Sequence, residues 1–212
     1  MLRPEPGRRP EVADPLAAFP VTLCGAGALG SHLAYHLVKL GGRKLKIIDR
    51  DRVESRNLPA QLWAVRDVGV QKCRALQNII HRDTGILIDT AAKEMTAGNA
   101  RSLLNGAGLV VDLFDNWASR RLAGEAARTL GVPCLHGGLS ADGFAEVKWD
   151  DVYTYGVDDG GEAREPPCDF APARGMVILT VAVLGEAVDR FIASGQKINR
   201  EITLGDLRVW EV

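Results

Sequence analysis

The sequence predicts a doubly wound α/β domain with a mostly parallel sheet and a C-terminal antiparallel extension. Three observations carry that prediction. Short apolar runs alternate with amphipathic segments along most of the chain. The first of these runs ends in a glycine-rich turn that opens a helix. After Gly143 the rhythm changes to a strand, a long irregular stretch, one apolar helix and two closing strands. Strands that alternate with helices are joined by right-handed crossovers and covered on both faces, which is a Rossmann-like plan.

Each element has its own signal. Residues 1–17 hold Pro4, Pro6, Pro10 and Pro15, which forbid a continuous helix or central strand, so a flexible surface arm is expected there. Residues 18–212 are expected to form a single nucleotide-binding domain. Residues 19–24 are an apolar run before Gly25, and Leu29, Leu33, Leu37 and Leu40 then recur at near-helical spacing. Residues 45–48 form a second strand that ends at Asp49. A helix over 69–82 places Cys73, Leu76, Ile79 and Ile80 on one face. Residues 86–88 and 109–113 read as buried strands with a short helix over 97–104 between them. An alanine-rich helix follows over 118–130, then strands over 132–135 and 144–149. Residues 150–174 are acidic, rich in glycine and proline, and long for a structureless loop in a compact domain, so a mobile loop is expected. An apolar helix over 176–192 and a hairpin from 201–204 and 208–212 close the chain.

The 212 residues suit one domain, and 46% apolar with 25% charged residues places the chain among folded proteins. With 26 basic against 27 acidic side chains there is no overall field to draw in nucleic acid or an anionic membrane, so neither partner is expected. Apolar runs stop short of the roughly 18 to 20 residues of a bilayer span, and the first residues lack a signal-peptide core. A cytoplasmic location is therefore expected. Cys24, Cys73, Cys134 and Cys168 stand singly, with no C-x-x-C pair. The first three lie in apolar surroundings and read as small core residues. His32, His36, His81 and His136 show no metal-ligand spacing, and His136 reads as a polar loop residue.

Gly25, Gly27 and Gly30 spell G-x-G-x-x-G between a strand and a helix. Gly25 permits the tight turn, Gly27 lets a phosphate approach the backbone, and Gly30 lets the helix pack closely on the sheet. The helix N-terminus adds unpaired N–H groups and a favourable dipole for the anion. Asp49, closing the next strand, is placed to accept hydrogen bonds from ribose hydroxyls. A dinucleotide and a mononucleotide satisfy these anchors equally, so NAD and ATP both remain open.

The segment from Asp49 to Gln61, DRDRVESRNLPAQ, resembles the ThiF/MoeB/HesA family, the adenylating relatives of ubiquitin-activating enzymes, whose pattern there is D-x-D-x-V-E-x-S-N-L-x-R-Q. Gly69-Val70-Gln71-Lys72 is similar to the family's G-x-x-K, and Val110 to Asn116 to its strand ending in D-N. Gly131-Val132-Pro133, followed by Gly137, Gly138 and Gly143, is similar to its next strand and loop. The helix from Gly175 with Glu186 and the closing strands also fit, so the resemblance runs from about residue 19 to the end.

The resemblance implies an adenylyltransferase that uses ATP and Mg2+ on the C-terminal carboxylate of a ubiquitin-like or sulfur-carrier protein, in a homodimer. It implies nucleotide binding by Gly25, Gly27, Gly30, Asp49, Asp51, Asn57 and Lys72, with ribose on Asp49 and phosphates on Asn57 and Lys72. Magnesium falls to Asp115. The catalytic candidates are Lys72, Asp115 and Cys168, the last in a loop where some relatives carry a cysteine used in sulfur or thioester chemistry. These assignments suit the reaction, because joining a carboxylate to an α-phosphate rests on positioning anions and neutralising developing charge.

Three departures qualify the resemblance, one being that the family's arginine-bearing N-terminal segment is not recognisable in residues 1–18, although Arg8 and Arg9 are available. Ala60 stands where the family has an arginine that contacts the ATP phosphates; losing one such donor typically costs about 2.7 to 4 kcal/mol of transition-state stabilisation. Arg56 or Arg66, nearby in sequence, are candidates to replace it. The paired zinc cysteines of many members are missing, so no structural zinc is expected. A catalytically impaired subunit acting with a partner is therefore a second reading, and an NAD-dependent oxidoreductase, resting on the glycine loop and Asp49 alone, is a third.

Overall fold

A computed structural model describes residues 15–140, 143–155, 174–203, 205–206 and 208–212. The chain begins with a single helical turn, α1 (Pro15–Ala18), and then alternates: β1 (Val21–Cys24), α2 (Ala28–Leu40), β2 (Leu45–Ile48), α3 (Lys72–Thr84), β3 (Asp89–Ala91), α4 (Ala100–Leu104), β4 (Leu109–Asp112), α5 (Trp117–Leu130) and β5 (Cys134–Leu139). The close is β6 (Phe144–Trp149), α6 (Arg174–Ser194), β7 (Arg200–Thr203) and β8 (Arg208–Glu211). One eight-stranded sheet holds all the strands in the order β3-β2-β1-β4-β5-β6-β7-β8. The five strands from β3 to β5 are parallel, and β6, β7 and β8 continue antiparallel. The expected doubly wound, Rossmann-like sheet with an antiparallel extension is the architecture observed.

The apolar periodicity explains the layers. Leu33 and Leu37 of α2 are completely buried, as are Val177, Leu184 and Val188 of α6, and together with α3 they cover one face in the larger core. A smaller core covers the other face, where Leu104 of α4 and the small residues Ala123 and Ala127 of α5 meet Cys24, Val110 and Cys134. Alanines let α5 lie close on the strands. Each fully buried leucine contributes on the order of 1.5 to 3 kcal/mol. The three cysteines Cys24, Cys73 and Cys134 are all buried and unpaired, and burial pushes each thiol's pKa up.

Several boundaries differ from the sequence expectation, each for a physical reason. Residues 15–17, given by their prolines to the arm, start α1, and Leu16 is buried in the main core. The third strand is Asp89–Ala91 rather than 86–88. It pairs with β2 alone as a sheet edge, where one open side removes the need for an apolar run. Ile88 is buried while Leu87 is 69% exposed. The fifth strand runs on through His136, Gly137 and Gly138 because its second half pairs with β6. Most of the arm, and residues 156–173 of the expected mobile loop, lie outside the described residues. Among the described residues no helix is long and apolar enough to cross a membrane.

Candidate functional site

The site grows from the turn between β1 and α2. Gly25 sits at φ 107°, a conformation that side chains disfavour, and a Cβ there would press on the Leu113 carbonyl at 3.0 Å. Gly30 packs so tightly under the turn that a Cβ would fall 1.9 Å from the Gly25 carbonyl oxygen. Gly27 caps α2 without any side-chain bond, and a Cβ there would meet nothing within 4 Å. The first amides of α2 therefore keep the unpaired donors that an anion seeks.

Asp49 follows β2, 7% exposed, and fastens the turn. Its Oδ2 accepts from the Ala26 amide at 2.6 Å and its Oδ1 from the Asp51 amide at 2.7 Å. Burial raises its pKa, opposed by the Lys72 charge and those two amide bonds. Lys72 opens α3 with only 8% exposure, and its Nζ lies 3.4 Å from Asp51 Oδ2. Asn57 is buried in a short 3-10 turn, where its Oδ1 accepts from the Glu54 amide at 3.0 Å. Asn116 caps α5 by accepting from the Ser119 amide at 2.9 Å. Asp115 itself is exposed and receives an Nδ2–H from Asn116 at 3.3 Å.

One cavity of about 580 Å3 collects these groups. Gly25, Gly27, Asp49, Asp51, Asn57, Lys72 and Asp115 all line it. Gly30 lies beneath, as a packing residue. Arg56 lines the cavity and pairs with Glu54 at 2.8 Å, whereas Arg66 is exposed and not among the lining residues. Ala60 is completely buried, its carbonyl 3.2 Å from His32 Nε2, and it too is absent from the lining. Cys168 lies outside the described residues.

The far wall was not legible beforehand. Arg120 of α5, 8% exposed, donates from Nη2 to the Gly137 carbonyl at 2.8 Å and from Nη1 to the Tyr153 hydroxyl at 3.2 Å. Its Nη1 also lies 3.5 Å from Oδ2 of the fully buried Asp112. His136 corrects the loop assignment: it is a completely buried strand residue, hydrogen-bonded through Nδ1 to Asp112 at 2.9 Å and stacked on Tyr153 at 4.0 Å. Arg120, Glu146 and Tyr153 line the cavity. The one sequence signal for this cluster was an aspartate and a histidine in otherwise apolar strands.

The cavity volume and the mix of bare amides, carboxylates and cations suit a phosphorylated nucleotide. Among the described residues no three His, Cys, Asp or Glu side chains are grouped to hold a metal by themselves. An exposed carboxylate beside a phosphate site still fits magnesium, which takes one or two protein carboxylates and fills its shell from substrate phosphates and water.

A family model described as the ThiF family matches residues 9–188. The chain belongs to the ThiF family. The sulfur carrier protein adenylyltransferase of Thermus thermophilus is 33% identical over 141 residues, which cover 66% of this chain and 51% of that protein. The sulfur carrier protein ThiS adenylyltransferase of Bacillus subtilis is 31% identical over 180 residues, covering 78% and 48%. This ThiF-family chain thus spans about half the length of these curated relatives. The crystal structure of E. coli MccB superposes with a TM-score of 0.76 at 17% identity, over 94% of this chain and 63% of that one, and a form of MccB with ATP gives 0.74 at 19%. The structural likeness establishes the shared fold.

Proposed function

We propose that this ThiF-family chain is an ATP-dependent adenylyltransferase that activates the C-terminal carboxylate of a ubiquitin-like or sulfur-carrier protein. The observation that carries this reading is convergence: Asp49 and Asn57 after β2, Lys72 of α3 and Asp115 after β4 line one cavity with the glycine turn. In the proposed reaction a carboxylate oxygen bonds to the α-phosphorus of ATP as the bond from that phosphorus to the bridging oxygen breaks, releasing pyrophosphate. Asp49 holds the ribose, and the amino end of α2 and Asn57 orient the phosphates. The Lys72 ammonium, already drawn into the cavity by Asp51, neutralises charge that builds on the leaving group. Asp115 is the carboxylate offered to magnesium, which when bound would supply charge neutralisation on the phosphate oxygens. The sulfur-carrier adenylyltransferases named above support the substrate class. Carrier-dependent exchange of labelled pyrophosphate into ATP is the test; tight ATP binding with no adenylate on any carboxyl-terminal substrate excludes the reading.

Ala60 favours a second reading, a catalytically impaired subunit that works with a partner. Its methyl group is buried away from the cavity, leaving Arg50 and Arg56 as the cations from that segment on the cavity wall. Efficient adenylate formation by the purified chain alone would rule this version out. The homodimer is likewise proposed from the family, and light scattering of the full chain measures it.

A further inference from the structure

The cavity's cations are unevenly placed. Arg50, Arg56, Lys72 and Lys93 come from segments after β2 or β3 or from α3, on the side of the ribose anchor. Among the described lining residues Arg120 is the one cation on the β4–β5 side. Asp49 follows β2 and the Gly137 carbonyl bonded to Arg120 lies in β5, with β1 and β4 between them. At about 4.8 Å per strand step the two stand roughly 14 Å apart, farther than a 5′-phosphate reaches from its ribose.

Arg120 is built into that wall with care. Asp112 and the Gly137 carbonyl fix the guanidinium, and Tyr153, whose hydroxyl accepts from Nη1, is itself pinned by ring stacking on His136. These three contacts use Nη1 and one proton of Nη2; Nε and the second Nη2 proton have no hydrogen-bond partner among the described residues. Tyr153 accepts from Arg120, so its own hydroxyl proton remains to donate. Gly138 brings no side chain over this place, where a Cβ would sit 3.4 Å from Nη2.

We propose that Arg120 and the Tyr153 hydroxyl bind the terminal carboxylate of the acyl substrate, with Asp112 and His136 as positioning residues that hold the donors in place. The inference rests on the adenylyltransferase reading above and adds which residues receive the acid. A cation here offsets the repulsion between an incoming carboxylate and a polyphosphate, and its planar donors match a carboxylate's two oxygens.

The test uses the full chain with a non-hydrolysable ATP analogue and two synthetic probes, a peptide ending in Gly-Gly as the free acid and the same peptide as the carboxamide. Calorimetry reads the affinity of each probe and, separately, of the analogue. Wild type should prefer the acid by about tenfold or more, as befits a charge-assisted contact. Arg120→Gln should bring the preference to about one while analogue affinity changes less than threefold. Tyr153→Phe, which keeps the ring and its stacking, should lower the preference severalfold and serves if Arg120→Gln does not fold. An unchanged preference in a folded variant overturns the assignment and leaves the adenylyltransferase reading standing. Failure of the wild type to bind analogue or either probe overturns both.

Discussion

Lys72 is 8% exposed beside a half-exposed aspartate, a pair that adds little to stability, and under the proposed function its charge serves a ligand. Lys72→Ala should cut adenylation by roughly 100-fold to 1000-fold with a small change in unfolding temperature, measured by pyrophosphate exchange and calorimetry. Asp49 makes a pH prediction. Burial raises its folded pKa above the ordinary value, so the folded state favours the protonated form, and ionising the group costs stability once pH climbs through that folded value. The stability of Asp49→Asn relative to wild type should therefore improve as pH rises above about 4, and denaturant titrations at several pH values read it. At Ala60 the prediction reverses a natural impulse. Restoring the family arginine there pushes a long charged chain into a completely closed position, so Ala60→Arg should destabilise by about 1 to 3 kcal/mol or more.

The turn joining β1 to α2 separates two roles that one glycine motif combines. Gly30→Ala collides with the Gly25 backbone, and loss of both stability and nucleotide binding is expected. Gly27→Ala meets open space, so it should leave the melting temperature nearly unchanged and weaken ATP binding by obstructing phosphate approach, as paired melting and binding curves will show. This local logic is why the near wall was legible: a glycine spacing, an aspartate after a strand and a lysine at a helix start are set within short stretches. The far wall depends on which strands become neighbours. Arg120, Glu146 and Tyr153 meet only because β5 turns from a parallel to an antiparallel partner, and Gly137-Gly138 read as loop because two glycines weaken any strand signal. The polar β3 escaped for a related reason, since an edge strand carries little apolar pattern.

Across the whole molecule, binding and folding are linked because six of the eight strands, or the turns after them, contribute to the cavity wall. A ligand at 100 times its Kd adds about 2.7 kcal/mol of stability, a rise of roughly 5 to 10 °C for a chain this long. ATP should produce that rise, and a shift with NAD but none with ATP would contradict the proposed substrate. With a net charge of -1 the chain offers no long-range attraction, so under the proposed function recognition of a carrier's terminal carboxylate would depend on contact inside the cavity. The strand order carries one more consequence. β1 has β4 as its neighbour, Val21 beside Leu109, so the central ladder joins segments separated in the chain by β2, β3 and three helices. Because Gly25 is braced by the Leu113 backbone just beyond β4, refolding chains should regain helical signal early and nucleotide affinity late, a lag that stopped-flow fluorescence with a labelled nucleotide can time.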